Sequence, residues 1–146
     1  MKAISENRSE FWRRWYRLVS LGLSIIFGIV GIVFLAIPAE VLSFFNAISL
    51  QYGLPASPAQ GTSFFLILAV AYMVLVSMLA FMMYKNPESS SFPLLLITGK
   101  SASSIVSILF IVVESHSLIY MVNAITDGSI ALGVFVLYRK VWEMST

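Results

Sequence analysis

Long apolar stretches separated by short polar ones dominate the pattern along the chain. Residues 18–37, 62–84, 92–113 and 117–138 are four such stretches, and each has the roughly 20 residues that an α-helix needs to cross a bilayer. Only three residues, 114–116, separate the last two stretches, so these helices should form an antiparallel hairpin. The pattern predicts an all-α integral membrane protein, a four-helix bundle.

The segments outside these stretches are interfacial in character. In residues 1–17, aromatic side chains share one helical face and arginines occupy the rest, a pattern typical of an amphipathic helix in the headgroup layer. These residues are Phe11, Trp12, Trp15 and Tyr16, with Arg13, Arg14 and Arg17. The alternative is an unstructured basic tail that only sets topology. Residues 39–46 are predicted to form a short interfacial helix, and residues 139–146 a polar tail.

Composition and charge narrow the class and the orientation. The chain of 146 residues is 59% hydrophobic and 11% charged, whereas a soluble domain carries about 25% charged residues. Eight of the nine basic residues fall in the termini and in residues 85–91, and none falls in the two other connections. This asymmetry predicts an inner (plasma) membrane protein with both termini in the cytoplasm. The basic character therefore indicates a membrane surface and no nucleic-acid partner.

The unusual chemistry lies in the third and fourth stretches, each of which contains one ionisable side chain. Lys100 is eight residues, and Asp127 eleven, from the cytoplasmic end of its predicted helix, so their depths differ by about 4–5 Å. Polar neighbours recur at helical spacing and should line facing stripes. This polar seam consists of Lys100, Ser103, Ser104, Ser107, Tyr120, Asn123 and Asp127, with Tyr72 in the second stretch. A lysine side chain can cover most of that gap in depth, but side chains lean toward their own helix N-terminus, which argues against direct contact. A water or a serine hydroxyl could bridge the two charges.

Three interpretations of the polar seam remain open. It could be structural, with an ion pair and hydrogen bonds that fix the register of the helices. It could bind a small lipophilic molecule such as a quinone or a lipid headgroup. It could also conduct protons, because proton relays use intramembrane acids. The first interpretation is favoured, and it predicts an accessory or structural subunit with a membrane-protein partner or a second copy of the chain, surrounded by lipid.

Enzymatic chemistry is not indicated. The absence of cysteine removes thiolate ligands and nucleophiles, and no nucleophile–base–acid set appears, so no catalytic residue, metal or cofactor is predicted. His116, the only histidine, should be a solvated loop residue.

The layout resembles the small bacterial four-helix membrane proteins of the DoxX-like grouping. The likeness covers most of the chain as a hydropathy pattern, with Pro38-Ala39-Glu40, Asn86-Pro87-Glu88 and Asp127-Gly128 as its local signatures. Some members are similar to membrane subunits of quinone-linked oxidoreductases. The resemblance implies a membrane bundle and supplies no catalytic residue.

Overall fold

The computed structural model describes residues 2–56, 62–113 and 117–143, and the side chains of residues 9–56, 65–113 and 117–143. The predicted loop residues Glu114 and His116 lie outside these ranges. The described residues form five α-helices: α1 (Lys2–Ala36), α2 (Pro38–Gln51), α3 (Thr62–Lys85), α4 (Ser91–Val113) and α5 (Leu118–Glu143). All but α2 are long and apolar enough to cross a membrane, so the four predicted apolar helices are confirmed.

The helices pack as two antiparallel pairs, α1 with α3 and α4 with α5. In the first pair, small residues of α1 allow close approach. Ser77 of α3 donates a hydrogen bond to the Ser24 carbonyl at 2.8 Å. A Cβ atom on Gly31 would lie 3.3 Å from that of Met73. Small residues on this face of α1 therefore lie in contact with α3, as such faces do in membrane proteins.

The N-terminal segment is not the separate interfacial helix that the sequence predicts. Residues 2–17 are the first part of α1, which has 35 residues and a length of about 50 Å. Tyr16 is 1% exposed and packs in the core, whereas Trp15 is 48% exposed. Arg13 forms an ion pair with Glu88, beyond the end of α3. One side of this aromatic face therefore packs against α3 and α5, and the other side is exposed.

The hydrophobic core lies at one end of the bundle, which we call the basic end because it holds Arg13, Lys85 and Arg139. Its buried members come from all four long helices. They are Tyr16, Val76, Ala80, Met83, Leu96, Val134 and Val141. At the opposite end, which we call the far end, no residue of α3 between Phe65 and Leu75 is buried. The two helix pairs are therefore held together chiefly at the basic end.

Helix α2 covers part of the far end. It follows α1 after a single residue, begins at Pro38, whose fixed φ suits the first turn of a helix, and contacts both α1 and α5. It is longer than the predicted helix over 39–46. Its Ser49 is 1% exposed, whereas Phe44 is 61% exposed. One side of α2 therefore faces the bundle, and the other faces outward.

Candidate functional site

A buried ion pair lies between α4 and α5 near the middle of the bundle. Lys100 Nζ donates a hydrogen bond to Asp127 Oδ1 at 2.6 Å. The side chains are 2% and 4% exposed, and they are the only buried charged side chains among the described residues. Burying two charges costs desolvation free energy, and the attraction between them at this short, direct contact offsets that cost.

The objection to direct contact between the two charges is wrong. It rested on the lean of each side chain along its own helix, which points the two groups apart. The register of the antiparallel helices instead places Lys100 and Asp127 at the same depth. The hydrogen bond from Ser104 to the Ala124 carbonyl shows this register, since these residues lie about one turn from the two charged ones. The four-carbon stem of lysine then spans the remaining gap.

Two aromatic rings complete the environment of the lysine. Lys100 Nζ lies 4.0 Å from the centroid of Phe27 and 5.0 Å from that of Tyr72. Both distances are within the range of cation–π attraction, which is worth about 2 kcal/mol when the cation is desolvated. The ammonium group is therefore enclosed by α1, α3 and α5, and Lys100 connects the two helix pairs.

Two polar atoms at this centre have no hydrogen-bond partner among the described residues. They are the Tyr72 hydroxyl and Asp127 Oδ2, both buried. The Tyr72 hydroxyl lies next to Ser103 and near Asp127, and its ring packs on Gly99, where a Cβ would lie 3.7 Å from the hydroxyl oxygen. The neighbouring Ser103 hydroxyl can share a hydrogen bond with Tyr72, so Asp127 Oδ2 is the atom left without a donor among the described residues, at a cost of about 1–3 kcal/mol.

The serines of the predicted seam bond α4 to α5. Ser104 donates to the Ala124 carbonyl at 2.8 Å. Asn123 donates to Ser107 at 2.8 Å and to Ser103 at 3.1 Å. Tyr120 lies near the start of α5, about two turns before Asp127. Its ring is 5.4 Å from that of Phe110, away from the centre around Lys100.

An apolar cavity of about 470 Å³ lies beneath α2 at the far end. Its lining comes from α1, α2, α3 and α5, and it contains no charged residue. The lining residues are Phe34, Pro38, Ala39, Val41, Leu42, Ser43, Asn46, Phe65, Leu66, Ala69 and Ile119. Its volume is within the range of about 300–1,000 Å³ that ligand pockets occupy.

The cavity and the polar centre share the same helix faces. Residues three, seven or eight positions apart lie on one face of a helix. Such spacings join Phe34 to Phe27, Ala69 to Tyr72, and Ile119 to Asp127. Ala69 is only about 4.5 Å along the axis of α3 from Tyr72. The corresponding separations are about 10 Å on α1 and about 12 Å on α5. The polar centre therefore lies toward the basic end from the cavity, and its residues are not among those that line it.

The sequence pointed to Tyr72 and to the charged pair but not to the residues around them. Phe27 and Ala69 are ordinary members of apolar helices, and nothing in their local sequence marks them. Their spacing is informative only once α1, α3 and α5 are known to face one another. Ala124 contributes a backbone carbonyl, which any residue type would supply.

The fold and the site together define a class, a helical protein with four helices long enough to cross a membrane and an internal ion pair. Comparison with protein-family models, curated proteins and solved structures finds no match for the chain. The resemblance to the DoxX-like grouping therefore stays a prediction.

Proposed function

We propose that this protein is a non-catalytic, multi-pass plasma-membrane protein, with both termini in the cytoplasm, that binds a small lipophilic molecule between its helices. The observation that carries the proposal is the apolar cavity beneath α2, whose lining comes from α1, α2, α3 and α5. A large apolar pocket with a few convergent polar groups is the usual form of a ligand site.

The lining of the cavity favours a lipophilic molecule. Ser43 and Asn46 are the only polar residues among the eleven that line the cavity, so a charged ligand would lose its hydration without compensation. Water is also a poor occupant, because apolar cavities stay dry. A lipophilic molecule that partitions from the bilayer meets neither obstacle.

A tryptophan substitution on α3 tests this site. Ala69→Trp places an indole in the cavity, whereas Ala71→Trp is a matched control, because Ala71 is on the same helix and is exposed. Each protein is extracted in mild detergent, incubated with a lipid extract of the host membrane, and analysed by native mass spectrometry. We expect wild type and Ala71→Trp to retain a bound lipophile and Ala69→Trp to lose it.

The same samples supply the control for folding. Ala69→Trp fills a void, so its melting temperature should not fall below that of wild type. Equal retention by all three proteins would place the molecule elsewhere, and no retention by wild type would contradict the proposal.

A second function, that of an accessory subunit, is favoured by a different observation. Half of the residues that line a shallow groove between α4 and α5 are small, among them Ser101 and Gly128. Small residues let a neighbouring helix approach closely, so a membrane helix of a partner subunit fits this surface. We expect Ser101→Leu to reduce the mass of the assembly in native electrophoresis, whereas Ala102→Leu, at an exposed neighbouring position, leaves it unchanged. An unchanged mass with Ser101→Leu would contradict this role.

A further inference from the structure

We infer that the outer surface of the α1–α3 pair, at the basic end, binds an anionic phospholipid. The charged headgroup of the lipid lies against Arg17 and Lys85, and an acyl chain lies along α3. The inference is independent of the cavity beneath α2, which is at the far end of the bundle.

The two cations lie over neighbouring aromatic rings. The guanidinium carbon of Arg17 is 4.8 Å from the centroid of the Tyr84 ring, and Lys85 Nζ is 5.3 Å from that of Phe81. The two ring centroids are 6.3 Å apart. An aromatic ring attracts a cation without neutralising its charge. These four residues, which we call the α1–α3 basic patch, therefore carry two uncompensated positive charges.

No carboxylate of the protein balances these charges. Neither Arg17 nor Lys85 has a carboxylate partner among the described residues, whereas Arg13 and Arg139, at the same end, each pair with a glutamate. Arg17 and Lys85 are both exposed, so an anion from the surroundings can reach them. Anionic lipids are attracted to basic residues that adjoin membrane helices, and the α1–α3 basic patch is complementary to them in charge.

The depth of the patch matches that of lipid headgroups. Arg17 directly precedes the uncharged residues 18–36 of α1, and Lys85 directly follows the uncharged residues 62–84 of α3. Each uncharged run is about 30–35 Å long, close to the thickness of the hydrocarbon core of a bilayer. Because α1 and α3 are antiparallel, the two cations lie together at the border between the hydrocarbon and the headgroups.

An apolar stripe continues from the patch along the outer face of α3. Val74, Met78, Phe81 and Lys85 follow one another at spacings of four, three and four residues, which places them on one helix face. The three apolar side chains are exposed. The stripe is about 16 Å long, close to half the thickness of the hydrocarbon core. A soluble phosphate would contact only the patch, whereas a phospholipid contacts both the patch and the stripe.

A fluorophore on the stripe tests the inference. The chain has no cysteine, so Met78→Cys can be labelled at one position. Thr98→Cys is the control site, because it is exposed and lies seven residues from the basic-end terminus of α4, as Met78 does from that of α3. Phosphatidylcholine nanodiscs contain a small fraction of brominated phosphatidylglycerol or brominated phosphatidylcholine, and bromine quenches the fluorophore on contact. We expect an about tenfold preference for phosphatidylglycerol at Met78 and none at Thr98.

Substitutions of the cations identify the source of this preference. Arg17→Gln and Lys85→Gln should each reduce it about fivefold, and Arg17→Lys, which keeps the charge, should retain it. Arg139→Gln is the matched control, because it removes the same charge at the same end from a residue that is already ion-paired. It should leave the preference unchanged. All three side chains are exposed, so these variants should melt at the temperature of wild type.

Equal losses with Arg17→Gln and Arg139→Gln, or equal preferences at Met78 and Thr98, would overturn the inference, because they would show a diffuse attraction of the whole basic end. Glycerol phosphate tests the role of the acyl chain and should not displace the quenching lipid. Displacement at an equal concentration would assign the patch to soluble phosphates and overturn the lipid site. The cavity is tested separately by Ala69→Trp, which should leave the phosphatidylglycerol preference at Met78 unchanged.

Discussion

The ion pair between Lys100 and Asp127 supplies the sharpest test of what holds the helices in register. Lys100→Met and Asp127→Leu each remove one charge and keep an apolar side chain of similar size, and the double substitution removes both. Because the pair is buried and its contact is 2.6 Å long, each single substitution leaves a charge without its counter-charge.

Breaking a buried pair by removing one partner costs about 3–5 kcal/mol, whereas replacing both partners by apolar residues is often neutral. The structure also predicts an order for the single variants. In Asp127→Leu, the ammonium group keeps Phe27 and Tyr72 around it, and these contacts retain about 1–2 kcal/mol. In Lys100→Met, Asp127 loses the one donor that bonds it, so this variant should be the less stable.

Reversible unfolding in mixed detergent and SDS micelles gives the free energy of unfolding for the wild type and the three variants. We expect a coupling energy of at least about 2 kcal/mol, with the double variant more stable than either single one. Additive losses would show that the two side chains do not stabilise each other and would refute the structural role of the pair.

Three further predictions concern packing and topology. Gly31→Leu should lower the free energy of unfolding by about 1–3 kcal/mol through overpacking against α3, whereas Gly22→Leu, where a Cβ meets nothing within 4 Å, should not. Tyr16→Ala should cost about 3–5 kcal/mol because the ring is in the core, whereas Trp15→Ala should stay within about 0.5 kcal/mol; similar losses for both would contradict the assignment of Tyr16 to the core. An epitope inserted between α2 and α3 should be accessible only from outside the cell, and one at the C-terminus only from inside; detection of both on one side would rule out four spans.

The four apolar helices could be predicted because each depends on local sequence alone. The runs over 62–84 and 92–113 differ from α3 and α4 by no more than one residue at either end, since polar residues 85–91 mark where the apolar pattern stops. The stripes of serine and asparagine on α4 and α5 were also readable, because helical spacing places such residues on one face.

Features that depend on the contacts between helices were less accessible. Tyr16 belongs to a sequence pattern typical of an interfacial helix, but it is buried because α1 continues without a break and packs on α3 and α5. The direct contact of Lys100 with Asp127 depends on the register of two antiparallel helices. A shift of one residue in that register moves the groups by about 1.5 Å, which is more than a hydrogen bond tolerates.

The ion pair and the unpartnered atoms beside it have different consequences for function. Lys100 and Asp127 cancel each other's charge, so the centre of the bundle is electrically neutral and the cost of placing it in a bilayer is reduced. Hydrogen-bonding capacity is not cancelled in the same way, because Asp127 has two oxygens and Lys100 bonds only one. The Tyr72 hydroxyl lies beside Ser103 and near Asp127, so it extends this polar network to α3, and Asp127 Oδ2 is the acceptor that the structural interpretation leaves unexplained.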